Sequence, residues 1–111
     1  MTTASDILAA LSHEFRVDTW AITGQRRHEP IIAARLAGYA IARALEWSYP
    51  AIGRAFGMRD KSTIIHGVKR AAERVTTDAN FAASMRRLHA ALVSPPMFAT
   101  RPMFKSIRGV K

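Results

Sequence analysis

The sequence predicts an all-α protein, a compact domain of about five helices built round a helix-turn-helix variant. Three observations predict it. Apolar residues recur at three- and four-residue spacing in one stretch after another, the period of a helix with one buried face. Short polar residues that cap helices, and glycines and prolines that end them, fall between those stretches. The segment Ser48 to Val75 reads as helix, short turn with a glycine, helix.

Taken in order, Ser5 can cap a first helix of about a dozen residues whose inward positions are Ile7, Leu8, Leu11 and Phe15. His13 is expected on its exposed side. Val17, Trp20 and Ile22 follow on a short connector and are expected to plug the edge of the core. Gly24-Gln25-Arg26-Arg27-His28-Glu29-Pro30 is a polar turn, with Pro30 suited to the first position of the next helix. Residues 31 to about 46 form the central core helix, carried by Ile31, Leu36, Tyr39, Ile41 and Leu45, with alanines and Gly38 permitting close approach. Arg35 and Arg43 are expected on its outer side, open to phosphate or to water. Ser48 caps a shorter helix with Pro50 in its first turn, and Ile52, Ala55 and Phe56 face inward.

Gly57 can take the left-handed backbone that closes this helix. Asp60 or Ser62 can cap the next, whose apolar stripe is Ile64, Ile65, Val68, Ala71, Ala72 and Val75. Lys61, Ser62 and Thr63 crowd its first turn with donors and hydroxyls. A helix anchored from behind with so polar a beginning has the geometry of a recognition helix in the major groove of DNA. His66, a turn further on, is expected to be a hydrogen-bonded histidine near the core. A last helix runs from Thr77 or Asp78 to Leu92. It packs Phe81, Met85, Leu88 and Leu92 and turns Arg86 and Arg87 outward, and Ser94-Pro95-Pro96 stops it. The folded domain is therefore expected over 1–93. A basic, loosely ordered tail, 94–111, repeats Pro-Met-Phe at 96–98 and 102–104 and suits either a docking peptide or an electrostatic arm.

The charge balance points to a polyanionic partner. Seventeen lysines and arginines stand against eight acidic residues, a net +9 in 111 residues. The excess is concentrated: six basic against two acidic residues lie between 48 and 75, and four against none in the tail. There are no cysteines, so no disulfide framework and no thiolate metal site, and the four histidines lack zinc-ligand spacing. No apolar run reaches membrane-span length and no secretory start is present, so the expected location is the cytoplasm, on the nucleoid. No cofactor is implied. Asp60, Ser62 and His66 are catalytic-triad types, yet they fall within two turns of one helix with no separate oxyanion site, and no enzyme activity is expected.

Gly57-Met58-Arg59-Asp60-Lys61-Ser62-Thr63-Ile64-Ile65-His66-Gly67 resembles the signature of the C-terminal DNA-binding domain of the bacterial replication initiator DnaA, Gly-Gly-Arg-Asp-His-Ser/Thr-Thr-Val-hydrophobic-His-Ala. The likeness extends through Ser48–Phe56, Ala33–Leu45 and the arginine loop at 24–28, roughly residues 5–92 in all. It implies a helical domain that binds origin-type boxes in double-stranded DNA. Carried over by position, Asp60, Lys61, Ser62 and Thr63 face the major groove, Pro50 approaches it from the preceding helix, and Arg26 or Arg27 enters the minor groove. These are roles their chemistry permits. Arg35, Arg54, Arg59, Lys69 and Arg70 are the candidates for phosphate contacts. Lys61 departs from the family's histidine, which bears on the base it reads. No Gly-x-x-x-x-Gly-Lys-Ser/Thr loop occurs, so no ATPase function is expected of these residues.

The expected role is sequence-specific binding in replication initiation or its control, by a monomer. The alternatives are an adaptor docking a replication protein through the tail, and a helix-turn-helix transcription regulator.

Overall fold

A computed structural model describes residues 2–93, and the tail at 94–111 with its Pro-Met-Phe strings lies outside the described residues. Those residues form six α-helices and a closing π-helical turn, His89–Val93, with no strand among them. The helix beyond the five that the sequence predicts is α2 (Thr19–Thr23), a single turn in place of a connector. It buries Ala21 and Ile22 but leaves Trp20 60% exposed, so Trp20 does not plug the core. Neighbouring positions on a helix point about 100° apart, and one turn cannot bury all of them.

Helix α1 (Ala4–Phe15) opens on Thr3 rather than Ser5. The Asp6 amide donates to Thr3 Oγ1 at 3.2 Å, and the Thr3 amide donates to the Asp6 carboxylate at 2.9 Å. Only a cap three residues before an acid closes this reciprocal box, which Thr3 can do and Ser5 cannot. Helix α3 (Ile31–Ala44) is the centre of the molecule, with Ala34, Ala37, Tyr39, Ile41 and Ala42 buried, and α1, α2, α5 and α6 pack on it. Pro30 sits at its cap position, one residue earlier than expected.

Helix α4 (Tyr49–Ala55) also packs on α3. It starts where Ser48 Oγ accepts from the Ala51 amide at 3.2 Å, as the sequence predicts. Phe56 at its end is buried edge-on against Tyr39, ring centres 5.1 Å apart.

Helix α5 (Lys61–Thr77) buries Ile64, Gly67 and Ala71 against α3 and α4. Ile65 and Val75, expected in the stripe, are 38% and 39% exposed. For Ile65 the reason is periodic: residues three and four beyond Ile64 share its face, and Ile65 stands a quarter-turn round; Val75 is on the buried face by period but lies in the last turn of the helix. Asp78 ends α5 and caps α6 (Ala79–Leu88), its carboxylate accepting from the Phe81 amide at 3.0 Å. Phe81 and Leu88 then enter the core. Arg87 is exposed, as expected, and its Nε donates to the Glu14 carboxylate on α1 at 3.0 and 3.1 Å. The result is a scaffold that holds α4 and α5 at a set angle and leaves the start of α5 uncovered.

Candidate nucleic-acid interface

The turn between α4 and α5 aims the site. Gly57 has φ +94°, and a Cβ there would lie 2.1 Å from the Thr23 carbonyl oxygen. Only glycine adopts that backbone freely and fits that space. Met58 follows with φ 63°. The Arg59 amide then donates to the Gly53 carbonyl at 3.0 Å, and a Cβ on Gly53 would stand 2.2 Å from the Arg59 oxygen. The chain folds back on α4 at this spot because neither position carries a side chain.

Asp60 occupies the cap position of α5 in extended backbone, but its side chain makes no capping hydrogen bond. Its carboxylate therefore stays available as an acceptor. Lys61, Ser62 and Thr63 are exposed on the first turn, above fully buried Ile64. First-turn amides have no partner within the helix and carry its positive end, so this tip suits an anionic or acceptor-rich surface. Pro50 is exposed in the first turn of α4.

Two arginines expected at phosphates donate to backbone carbonyls. Arg35 is 7% exposed, and its outward placement is corrected. Its Nε donates to Ile22 O at 2.8 Å, its Nη2 to Ala21 O at 3.0 Å and Gly24 O at 2.8 Å, and its Nη1 to Arg26 O. Arg59 donates from Nε to Phe56 O at 2.8 Å and from Nη2 to Ile22 O and Gly24 O. The cause is the end of α2, whose last carbonyls have no helical partner. A planar guanidinium can serve several such oxygens at once. Burial, and then the charge of Arg59, push the Arg35 guanidinium below its ordinary pKa, yet it stays a cation at neutral pH. Its charge is balanced by carbonyl dipoles rather than by a carboxylate.

The backbone of the 24–28 loop is thus stapled both to α3 and, through Arg59, to the turn between α4 and α5. A cleft of about 590 Å³ opens beside this staple, between α3 and α5. Arg27, Thr63, His66 and Arg70 line it together with Tyr39 and Arg59. Arg27, from the loop, therefore shares one surface with the first turn of α5. Arg26 does not line the cleft; its guanidinium carbon stands 5.1 Å from the centre of the Trp20 ring. Arg54, Lys69 and Arg70 are exposed, as phosphate contacts must be. His66 is exposed on the cleft wall, which corrects its expected place near the core. Gly67 takes the inward position instead, against the Tyr39 ring.

Sequence reasoning missed Trp20 as a partner of Arg26. The two are separated by a glycine turn, and no periodic pattern links them. Among the described residues, no group of three or more histidines or acids is placed to hold a metal ion. None of the helices among the described residues is long and apolar enough to cross a membrane.

The chain is 34% identical over 77 residues to the chromosomal replication initiator protein DnaA of Oenococcus oeni, covering 68% of this chain and 17% of that protein. It is 33% identical over 84 residues to the protein of the same name from a Geobacter species, covering 75% and 18%. To that from Ruegeria pomeroyi it is 34% identical over 91 residues, covering 81% and 19%. The chain spans less than a fifth of the length of these relatives. Residues 4–71, which run from α1 through the turn and into the middle of α5, match the family described as the bacterial dnaA protein helix-turn-helix, and the chain belongs to that family.

Proposed function

We propose that this domain binds double-stranded DNA sequence-specifically, at sites of the kind replication initiators recognise, and acts in initiating replication or regulating it. The observation that carries the reading is the cleft shared by Arg27 of the loop and Thr63 and Arg70 of α5. A helix tip and an arginine arm on one side of a small domain can engage adjacent grooves of a single duplex. The family and the net charge of +9 support it.

In this reading Asp60 accepts from a cytosine amino group and Lys61 donates to guanine O6 or N7. The Thr63 methyl touches a thymine methyl, with Ser62 and Pro50 beside them. Arg27 enters the minor groove, where a narrow A·T stretch concentrates negative potential. Arg54, Lys69 and Arg70 hold phosphates and set register without reading sequence. Arg35 and Arg59 hold the loop against the turn instead of touching DNA. The protein acts as a monomer, needs no nucleotide for this step, and works on the nucleoid.

The test is selection of bound sites from random duplex DNA. An enriched motif is expected, with binding that weakens steeply as salt rises because phosphate contacts release counterions. A pool that shows no enrichment over scrambled DNA would sink the reading and leave a nonspecific basic protein.

A further inference from the structure

Trp20 is a large aromatic residue standing 60% exposed on α2, and the core makes no use of it. What it touches is Arg26, across the Gly24 turn, with the guanidinium carbon 5.1 Å from its ring centre. The other end of Arg26 is also held, since its carbonyl accepts from Arg35. Arg27, next in the chain, lines the cleft with Thr63 instead. Two adjacent arginines of equal charge and reach are therefore sent to different places.

We propose that Trp20 is a positioning residue for the minor-groove arm: by keeping Arg26 on its ring it withholds a competing guanidinium from the groove, so that Arg27 alone is inserted. The proposal rests on the DNA-binding reading above and names what makes the arm selective. Without a bias, either arginine can enter the groove, the inserted side chain shifts by one residue along the loop, and the preference for one base step blurs. An exposed cation–π contact biases a guanidinium about two- to fivefold, enough to favour one of two otherwise equal arms. An exposed ring of this kind adds little to folding stability, so its removal isolates the positioning effect.

The experiment measures affinity by fluorescence anisotropy at fixed salt, using the full chain and a short labelled duplex carrying the site it enriches from random DNA. Arg27→Ala is expected to weaken binding about tenfold. Adding Trp20→Ala to that variant releases Arg26 to take the vacant place and recovers about two- to fivefold of the loss. Adding Trp20→Phe, which keeps an aromatic face, recovers clearly less. Trp20→Ala alone lowers the melting temperature by no more than about 8 °C, the worth of the contact itself, and reduces discrimination at the A·T positions under the arm.

The proposal is overturned if the Trp20→Ala, Arg27→Ala double variant binds no better than Arg27→Ala. It is equally overturned if Trp20→Phe matches Trp20→Ala, or if Trp20→Ala lowers the melting temperature by more than about 8 °C and so marks a structural residue. Undiminished binding by Arg27→Ala is a separate signature: it removes the arm reading itself, and the role of Trp20 with it.

Discussion

An N–H given to one acceptor is not free for another, and that limits what each arginine here can do. Arg35 and Arg59 give theirs to the carbonyls of residues 21–26 and Phe56. Arg35→Ala is expected to cost about 3 kcal/mol of folding stability, because it leaves buried acceptors without charged donors. Urea unfolding in the absence of DNA checks this, and an unchanged midpoint would return Arg35 to the list of phosphate contacts. Lys61→Ala acts differently: it should relax base preference at one position by about 1–3 kcal/mol, read from repeated site selection. Arg70→Ala should weaken all duplexes alike and lower the slope of log affinity against log salt by about 1. The exposed trio at 61–63 was legible because cap, turn and buried Ile64 fix its place on the helix. Arg35 was not, because α3 is apolar nearly all round and its periodicity does not say which way a lone charge points.

Among the elements, the α4–α5 turn carries the most consequence. Gly57→Ala should destabilise the domain by more than about 1 kcal/mol, since the backbone is left-handed and the Thr23 carbonyl blocks a methyl group. Ser48→Ala should cost about 1 kcal/mol by removing the α4 cap. Thermal melts of the two variants separate these values, and a Gly57→Ala protein as stable as the parent would mean that the turn tolerates another backbone. Ser48 and the left-handed backbone of Gly57 were readable in advance because each belongs to an end of one short helix, whereas the Thr23 carbonyl that also demands glycine at 57 lies 34 residues away. The single turn of α2 was not, because five residues carry too little periodicity to distinguish a helix from a connector.

At the scale of the whole molecule, α3 gathers the other helices and the ends are tied by ion pairs. Arg87 and Glu14 join α6 to α1, and the hydrogen bond from Arg87 holds the Glu14 carboxyl below its ordinary pKa. A carboxyl depressed by folding stabilises the native state fully above its unfolded value, about pH 4.3. That contribution is lost as pH falls through the lower native value. Acid melts should therefore show a smaller fall in stability for Glu14→Gln than for the parent below about pH 4.3. Equal falls would show that the pair contributes nothing that titrates.

From the chain alone come the helical class, the turn, the exposed tip of α5 and the charge that suits a polyanion. All of these arise from contacts between residues three or four apart, or from composition, and such patterns are written directly in the order of amino acids. The staple that joins loop to turn arises only in the folded molecule. It links Arg35 to Ile22 across 13 residues and Arg59 to Ile22 across 37. Which carbonyls lack a partner, and which guanidinium stands within reach of them, depends on how whole helices pack, so local spacing holds no record of it.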